Sequence, residues 1–371
     1  MLALTIAVVA LVAAAWSLGR PRRLCSPQEQ GVVADVSIII PARNEAVNLP
    51  RLLASLAAST STPGEVIVVD DGSTDDTGAI AASFGATVVV APPPPVGWVG
   101  KTWACHLGSV RAHGSVLLFL DADTWLAPGG LAALTAQHQR SNGLLSVQPH
   151  HLVRSAYERL SAVFNLVSLM GSGAFGVRIA RPMRVAFGPC LMTGAADYAH
   201  VGGHQAVRHE VVEDMALAAI YADADLPVTC LLGADLVAFR MYPLGLRSLI
   251  QGWTKNISVG ATRAPVSSVL PAVLWVAAVC AVSTTFFIGL ARWASGGEPP
   301  FAAAIAWVVV TVQIAAMLRR IGSFGVATAV LFTIPVLFFI VVFIRSAVAT
   351  GLGRPVEWRG RSVLARADRD D

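Results

Sequence analysis

Two carboxylates one residue apart, Asp121 and Asp123, follow the run Ser115-Val-Leu-Leu-Phe-Leu120. Large apolar residues in so short a run read as a buried strand, and alternate residues at its end project to one side. Two hard oxygen ligands so placed suit Mg²⁺ or Mn²⁺ carrying a diphosphate. The plainer alternative is an acidic pair capping the next helix. Other acids follow two earlier apolar runs, Glu45 after Val36–Pro41 and Asp70 and Asp71 at the end of Glu65–Asp70. Carboxylates gathered on one sheet edge repel each other unless a cation, or hydrogen bonds from a base and a ribose, satisfies them. Asp70-Asp71-Gly72-Ser73-Thr74-Asp75 can equally be a turn that caps the following helix.

These acids need elements to carry them. Strands are expected at Val36–Pro41, Glu65–Asp70, Thr87–Ala91 and Ser115–Leu120, and helices at Val47–Ala58, Asp76–Phe84 and Lys101–Ala112. Thr74 and Asp75 read as an N-cap, and Pro92–Pro95 as a stiff connector that cannot extend a strand. Strands alternating with helices predict a parallel, doubly wound α/β sheet, whose ligands bind at the carboxyl ends of the strands. A dinucleotide fold needs G-x-G-x-x-G after its first strand. The loop here is Pro41-Ala-Arg43-Asn44-Glu45, without glycine, which argues against a dehydrogenase.

The chain has 371 residues, 55% hydrophobic and 13% charged, with mean hydropathy +0.63. That is too apolar for an ordinary soluble enzyme. The excess lies at the ends, in residues 1–18 and in 267–290, 301–318 and 326–344, each near the length of a bilayer-spanning helix. The first run lacks a basic residue ahead of it and is followed by Arg20, Arg22 and Arg23, the pattern of an uncleaved anchor with the downstream chain cytoplasmic. The expected organisation is an anchor at 1–18, a cytoplasmic catalytic domain at 33–240, an interfacial amphipathic segment at 241–265, three transmembrane or re-entrant helices, and a basic tail at 345–371. Five cysteines without a C-x-x-C pair fit a reducing compartment. A net charge of +4 without a basic, aromatic-interleaved stripe argues against nucleic acid. Arginines beside the apolar runs suit anionic headgroups.

Pro41-Ala-Arg43-Asn44-Glu45, Val69-Asp70-Asp71-Gly72-Ser73-Thr74-Asp75, Gly100-Lys101 and Asp121-Ala-Asp123, in this order and spacing, resemble the nucleotide-sugar domain of family 2 glycosyltransferases. Ala186-Phe-Gly-Pro189, Gly202-Gly203-His204, Gln251-Gly252-Trp253-Thr254-Lys255 and Val356-Glu-Trp358-Arg-Gly-Arg361 extend the resemblance to the membrane glycosyltransferases of carotenoid biosynthesis, of the 4,4'-diaponeurosporenoate type. The resemblance implies a GT-A fold, an inverting, metal-dependent transfer and a nucleotide-sugar donor, UDP-glucose. It also implies a carotenoid acid or alcohol as acceptor, in the cell membrane. It places Pro41, Arg43, Glu45, Asp70, Asp71 and Lys101 at the nucleotide, and Asp121 and Asp123 at the metal-diphosphate.

The same resemblance makes Glu213-Asp214 the source of a general base, Asp214 ahead of Glu213. An alcohol is nearly un-ionised at neutral pH and gains from such a base, whereas an acid acceptor is already ionised. The plain alternative is acidic bias in a helix's first turn, about 0.3–1 kcal/mol of dipole stabilisation. His204, Gln251 and Trp253 are expected at the acceptor; the amphipathic residues 242–259 read either as a core-facing helix or as one lying in the membrane interface, with Trp253 and Lys255 at headgroup depth. Asp223-Ala-Asp225 follows a helix instead of a strand and reads as a solvated helix end. Competing readings are a glycolipid synthase acting on polyprenyl phosphate, diacylglycerol or a sterol-like alcohol, and a nucleotide-sugar-binding scaffold without turnover. The last run carries a conflict: two preceding spans send it outward, yet its tail is basic, and Pro335 in mid-run can break it into a re-entrant or interfacial piece.

Overall fold

The computed structural model describes residues 1–26, 35–263, 266–351, 356–358 and 361–363, with side chains except at 255–263 and beyond 348. In chain order the elements begin α1 (Leu2–Leu18), β1 (Val36–Ala42), α2 (Leu49–Ala57), β2 (Glu65–Asp70), α3 (Thr77–Ser83), β3 (Thr87–Val90), α4 (Gly100–Arg111), β4 (Val116–Leu120) and β5 (Thr124–Leu126). There follow α5 (Gly130–Ser141), β6 (Leu144–Gln148), β7 (His150–His151), α6 (Ala162–Ser172), β8 (Cys190–Gly194), α7 (Ala195–His200), α8 (Gly203–Ala206), α9 (Glu213–Asp223), β9 (Val228–Leu232) and β10 (Val237–Phe239). The apolar end holds α10 (Leu246–Arg263), α11 (Val266–Ala294), α12 (Phe301–Ile321), α13 (Val326–Val330) and α14 (Thr333–Gly351).

Two compact units divide the described chain: a sheet unit from 22–150, 180–241 and the described residues after 356, and a helical unit from 1–21, 151–179 and 242–356. This cut differs from a catalytic domain running unbroken over 33–240. Residues 151–179 leave the sheet because α6 is apolar on nearly all sides, with Val163, Phe164, Leu166, Leu169 and Met170 buried, and such a helix needs apolar neighbours over most of its surface.

In the sheet unit, seven strands run in the order β3-β2-β1-β4-β8-β6-β9. The expected parallel arrangement holds for β3, β2, β1 and β4. Only β8 is reversed, antiparallel to both β4 and β6, so the sheet is mixed. The central strands are apolar on both faces because helices cover both. Ile38, Ile40, Val68 and Leu118 pack with Leu49, Leu52 and Leu53 of α2. Ile39, Leu117 and Phe119 face the other way, with Leu217 and Tyr221 of α9. Each such side chain contributes about 1.5–3 kcal/mol when fully buried. On α4, Gly108 lies where a Cβ would stand 2.4 Å from Ile39 Cγ2. Its missing side chain lets α4 press on β1, which sets where the start of that helix, with Lys101, reaches the sheet edge.

In the helical unit, α11 and α12 are long and apolar enough to cross a membrane, and α1 and residues 333–348 of α14 are shorter apolar helices. Pro299 and Pro300 separate α11 from α12, as proline lacks the donor a continuing helix requires. The last apolar run does break, but at Leu331-Phe332 and not at Pro335, which occupies the first turn of α14, where a helix N–H has no partner to lose. Thr333 Oγ1 at the start of α14 lies 3.1 Å from Ser283 Oγ of α11, and Ser346 near its end donates to Thr254 O at 2.9 Å.

Candidate active site

The first three sheet tips are joined by their loops. Asp71 N–H donates to Ala42 O at 2.8 Å, and the Arg43 guanidinium donates to Asp71 O. Asn44, at φ +53°, accepts Thr74 N–H at 2.8 Å and donates its own N–H to Ser73 Oγ at 3.0 Å. Asparagine tolerates this left-handed backbone because its amide bonds locally. Asp70 Oδ1 accepts Ser73 N–H at 2.8 Å. Asp75 accepts the N–H groups of Ala46 and Thr77, both at 3.1 Å, which satisfies the start of α3 as the expected cap would. Glu45, 5% exposed, accepts from Asn48 Nδ2 at 2.8 Å. Pro41, Arg43, Glu45, Asp70 and Asp71 therefore share one edge. Asp70 is level with Ala42 across one strand spacing, and Asp121 continues β4 on the other side of β1, about 10 Å from Asp70 by two strand spacings.

A second constellation centres on Lys101. Its Nζ lies 2.8 Å from Asp121 Oδ1 and 2.8 Å from Glu213 Oε1. Four loops converge to allow this. Val99 N–H and the Thr102 hydroxyl both meet Arg208 O at 2.8 Å, which ties the start of α4 to the loop before α9. Asp121 N–H donates to Pro189 O at 3.0 Å, and Phe187 N–H to Ser146 Oγ at 2.6 Å, so the 186–189 loop is pinned to β4 and β6. Asp123 O accepts Arg240 N–H at 3.1 Å, and Thr124 N–H bonds back to Asp121 O at 3.0 Å, which makes Asp121-Ala-Asp123 a tight turn at the tip of β4.

The electrostatics separate the two acids of α9. Burial works against the Lys101 ammonium, but Asp121 and Glu213 more than offset it, and its pKa is raised well above the ordinary lysine value. Burial works to raise the Glu213 pKa too, yet the Lys101 charge and hydrogen bond outweigh it and hold it below the usual range. Among the described residues Asp214 has no ion pair. Burial, then the Glu213 charge, push its carboxyl up to about 7. Neighbouring carboxylates driven apart in this way are a common arrangement for acid–base chemistry.

Gly188, within Ala186-Phe-Gly-Pro189, has no role that the sequence alone suggests. A Cβ there would stand 3.2 Å from Asp214 Oδ2 and 3.3 Å from Lys101 Nζ. The only hint in the sequence was a glycine beside a proline, which marks a turn but names no neighbour. Gly188→Ala is expected to cut the catalytic rate about tenfold, since small displacements of reacting groups cost that much or more. It should also move the acidic limb of the rate–pH profile, with the melting temperature nearly unchanged. An unaltered profile, measured beside wild type, would detach Gly188 from Asp214.

The acceptor candidates are not brought together in one unit. His204 is in the sheet unit, 1% exposed, with Nδ1 2.8 Å from Tyr198 Oη and its ring 4.9 Å from that of Phe119. Burial pushes its pKa down to about 4, against the Glu213 charge, so it is neutral. Its geometry is that of a core histidine behind Glu213. Gln251 and Trp253 are in the helical unit. Trp253 packs inside that unit: it is 3% exposed, donates Nε1–H to Ser161 Oγ at 2.9 Å and stacks on Phe164 at 4.8 Å. Burying the whole indole with its N–H satisfied outweighs an interfacial placement. The Lys255 side chain and most of the Val356–Arg361 motif lie outside the described residues. Asp223 ion-pairs with exposed Arg184 at the end of α9, and Asp225 follows with positive φ, a solvated helix end as expected.

Among the described residues no three metal-ligating side chains cluster. Two carboxylates at a turn still suit an ion that draws its other ligands from a diphosphate and water, the usual habit of Mg²⁺.

The Glycosyl transferase family 2 profile matches residues 37–159. The chain is 38% identical over 332 residues to a 4,4'-diaponeurosporenoate glycosyltransferase of Staphylococcus aureus strain MRSA252, covering 88% of this chain and 87% of that protein. It is 37% identical over the same length to its counterpart in strain USA300, with the same coverage. Among solved structures it is similar to the mannosyltransferase PcManGT of Pyrobaculum calidifontis in complex with GDP-Man and Mn²⁺, with TM-score 0.51 and 16% identity over 92% of this chain and 99% of that one.

Proposed function

The chain belongs to the family 2 glycosyltransferases, and from that premise we propose that it transfers glucose from UDP-glucose, with inversion, to an apolar acceptor of the carotenoid-acid type. The observation that carries this reading is the Lys101–Asp121–Glu213 bridge with Asp214 beside it, at the carboxyl end of β4. A carotenoid acid is the acceptor class named in the relatives at 37–38% identity. The edge formed by Arg43, Glu45, Asp70 and Asp71 is the place for the nucleotide, and Lys101 at the amino end of α4 favours a diphosphate nearby.

In the proposed reaction an acceptor oxygen attacks the anomeric carbon. The bond from that carbon to the diphosphate breaks, and UDP leaves with the electron pair. When the acceptor is a hydroxyl, its proton passes to Asp214; when it is a carboxylate, no proton moves. Asp121 and Asp123 would hold the divalent cation, which neutralises charge on the leaving diphosphate. Lys101 fixes Asp121 and keeps Glu213 ionised, and Glu213 in turn keeps Asp214 basic. A half-buried carboxylate with pKa about 7 suits a hydroxyl, which favours as second reading the same transfer to a lipid or carotenoid alcohol.

Stripping divalent cations with EDTA is expected to abolish transfer, and Mn²⁺ or Mg²⁺ to restore it. Asp123→Asn should cost about 100-fold or more in rate, given several kcal/mol of charge stabilisation by a metal. Undiminished activity in EDTA excludes the cation. The long apolar helices α11 and α12 support a cell-membrane location; in this reading the protein is multi-pass with its sheet unit on the cytoplasmic side. The acceptor is then reached from the bilayer, which carries what water does not. Cells making carotenoid acids, and cells making carotenoid alcohols, are to express the full chain, with pigments identified by mass spectrometry. A glucosyl ester in the first supports the reading; glucosylated lipid alcohols and no glycosylated carotenoid in either would replace it.

A further inference from the structure

The helices of the helical unit share one level. Gln313 Nε2 of α12 donates to Ala10 O of α1 at 2.9 Å, and Trp275 Nε1 of α11 donates to Gln313 Oε1 at 3.3 Å. From that level the directions follow. The start of α11 lies at the end of α6, where a Cβ on Gly173 would meet Ser268 Oγ. The chain after Gly173 wraps the end of α1: Val177 N–H donates to Trp16 O at 2.8 Å, and Arg20 N–H to Phe175 O at 3.0 Å. The far end of α11 meets the start of α12, with Gly289 against Pro300. So α11 runs opposite to α1 and α12, and the carboxyl ends of α1 and α12 lie together.

That end is cationic. Arg20, Arg178, Arg319 and Arg320 are all exposed, and none is ion-paired among the described residues. The Arg178 guanidinium lies 5.8 Å from the ring centroid of Trp16, itself 43% exposed. The acids of this unit among the described residues are Glu158, which is 1% exposed, and Glu298, which lies in the connector at the opposite end beside Arg292. One helical stretch further in, the faces turn apolar, with Val8, Val12, Val273, Val308 and Val312 exposed. The last apolar run returns to the cationic end. Thr333 meets Ser283, fifteen residues or about 22 Å along α11 from Ser268. Ser346 then meets Thr254, whose neighbour Trp253 bonds Ser161. Ser161 follows closely on Val153, which is bonded to Ser323 just beyond Arg320. Thus α13 enters and α14 doubles back, carrying Arg345 toward the other arginines.

We propose that this end, Arg20, Arg178, Arg319 and Arg320 about the Trp16 ring, is a docking surface for the anionic phospholipid headgroups of one leaflet. The proposal rests on the helical unit's being embedded in a membrane. Unpaired arginines next to an exposed apolar belt and an interfacial tryptophan are what such a surface requires. The re-entrant α13–α14 pair removes the conflict of a basic tail on the far side.

The test uses the full chain in phosphatidylcholine nanodiscs with and without phosphatidylglycerol, with retained lipid read by native mass spectrometry. Wild type is expected to retain phosphatidylglycerol over phosphatidylcholine, and each arginine changed to glutamine to weaken that preference about fivefold. Arg292→Gln at the opposite end should leave it unchanged, and a fourfold Arg→Lys variant should keep it, which guards against loss through misfolding. No preference in wild type, or an equal loss with Arg292→Gln, overturns the proposal. Carbonate extraction separates the two failures: a chain released from membranes by carbonate was never embedded, whatever lipid it binds.

Discussion

Asp214→Asn is expected to cut transfer to a hydroxyl acceptor by about 10²–10⁴-fold and to leave transfer to a carboxylate acceptor within a few-fold. The first figure is the usual contribution of a positioned base; the second follows because a carboxylate has no proton to lose. Geometry should survive, since Met215 N–H can bond the amide oxygen as it bonds Asp214 Oδ1 at 2.9 Å. The rate with a hydroxyl acceptor should fall as pH drops through about 7, the value to which Asp214 is pushed by burial and by Glu213. Stability responds in the opposite sense. A carboxyl whose pKa is raised on folding binds its proton more tightly folded than unfolded, so its contribution declines as pH rises from about 4 to about 7. The asparagine variant, which carries no charge there, should be at least as stable as wild type at pH 8. Rates with paired alcohol and acid acceptors across pH, alongside thermal melts, check all three; equal loss with both acceptors would remove Asp214 from the proton's path.

Lys101→Met should remove activity and destabilise the fold, and the two effects should come apart in a double variant. Lys101 is the counter-charge for Glu213, whose side chain is 8% exposed, and for Asp121, at 29%. Leaving a buried charge unpaired costs about 3–5 kcal/mol; because the Lys101 side chain is itself 35% exposed, about 1–3 kcal/mol is the reasonable expectation here. Adding Glu213→Gln removes the orphaned charge and should recover most of that loss, whereas Asp121 keeps its water and needs no rescue. Activity should stay lost, because neither the diphosphate nor Asp121 regains its cation. Glu213→Gln alone should shift the acidic limb of the rate profile to lower pH, since the Glu213 charge is one of the two causes that raise Asp214. Melting temperatures and rates for the four proteins test this; a double variant no more stable than Lys101→Met would place the stabilisation elsewhere.

Much of this protein follows from local pattern. Short runs of large apolar residues bounded by Asp, Asn and Gly read as strands and turns, so β1 to β4 and the acids at their tips were legible from residues 36 to 123. The apolar runs at both ends were equally plain, because length and hydropathy are properties of contiguous sequence. What the sequence could not contain is distance between remote segments. Lys101, Asp121, Gly188 and Glu213 are spread over more than a hundred residues, and it takes the reversed strand β8 with its pinned 186–189 loop, and the bonds from Val99 and Thr102 to Arg208, to bring them together. Which of Asp214 and Glu213 carries the raised pKa was not readable from adjacent letters. It follows from which of the two Lys101 touches. The same holds for Trp253, whose segment composition alone leaves open between core and interface and whose contacts show it packed, and for the last apolar run, whose return depends on Ser283 and Thr254 meeting its two ends. Pattern along the chain fixes what each segment becomes; charge pairing and burial, which depend on neighbours far off in sequence, fix what each side chain can do.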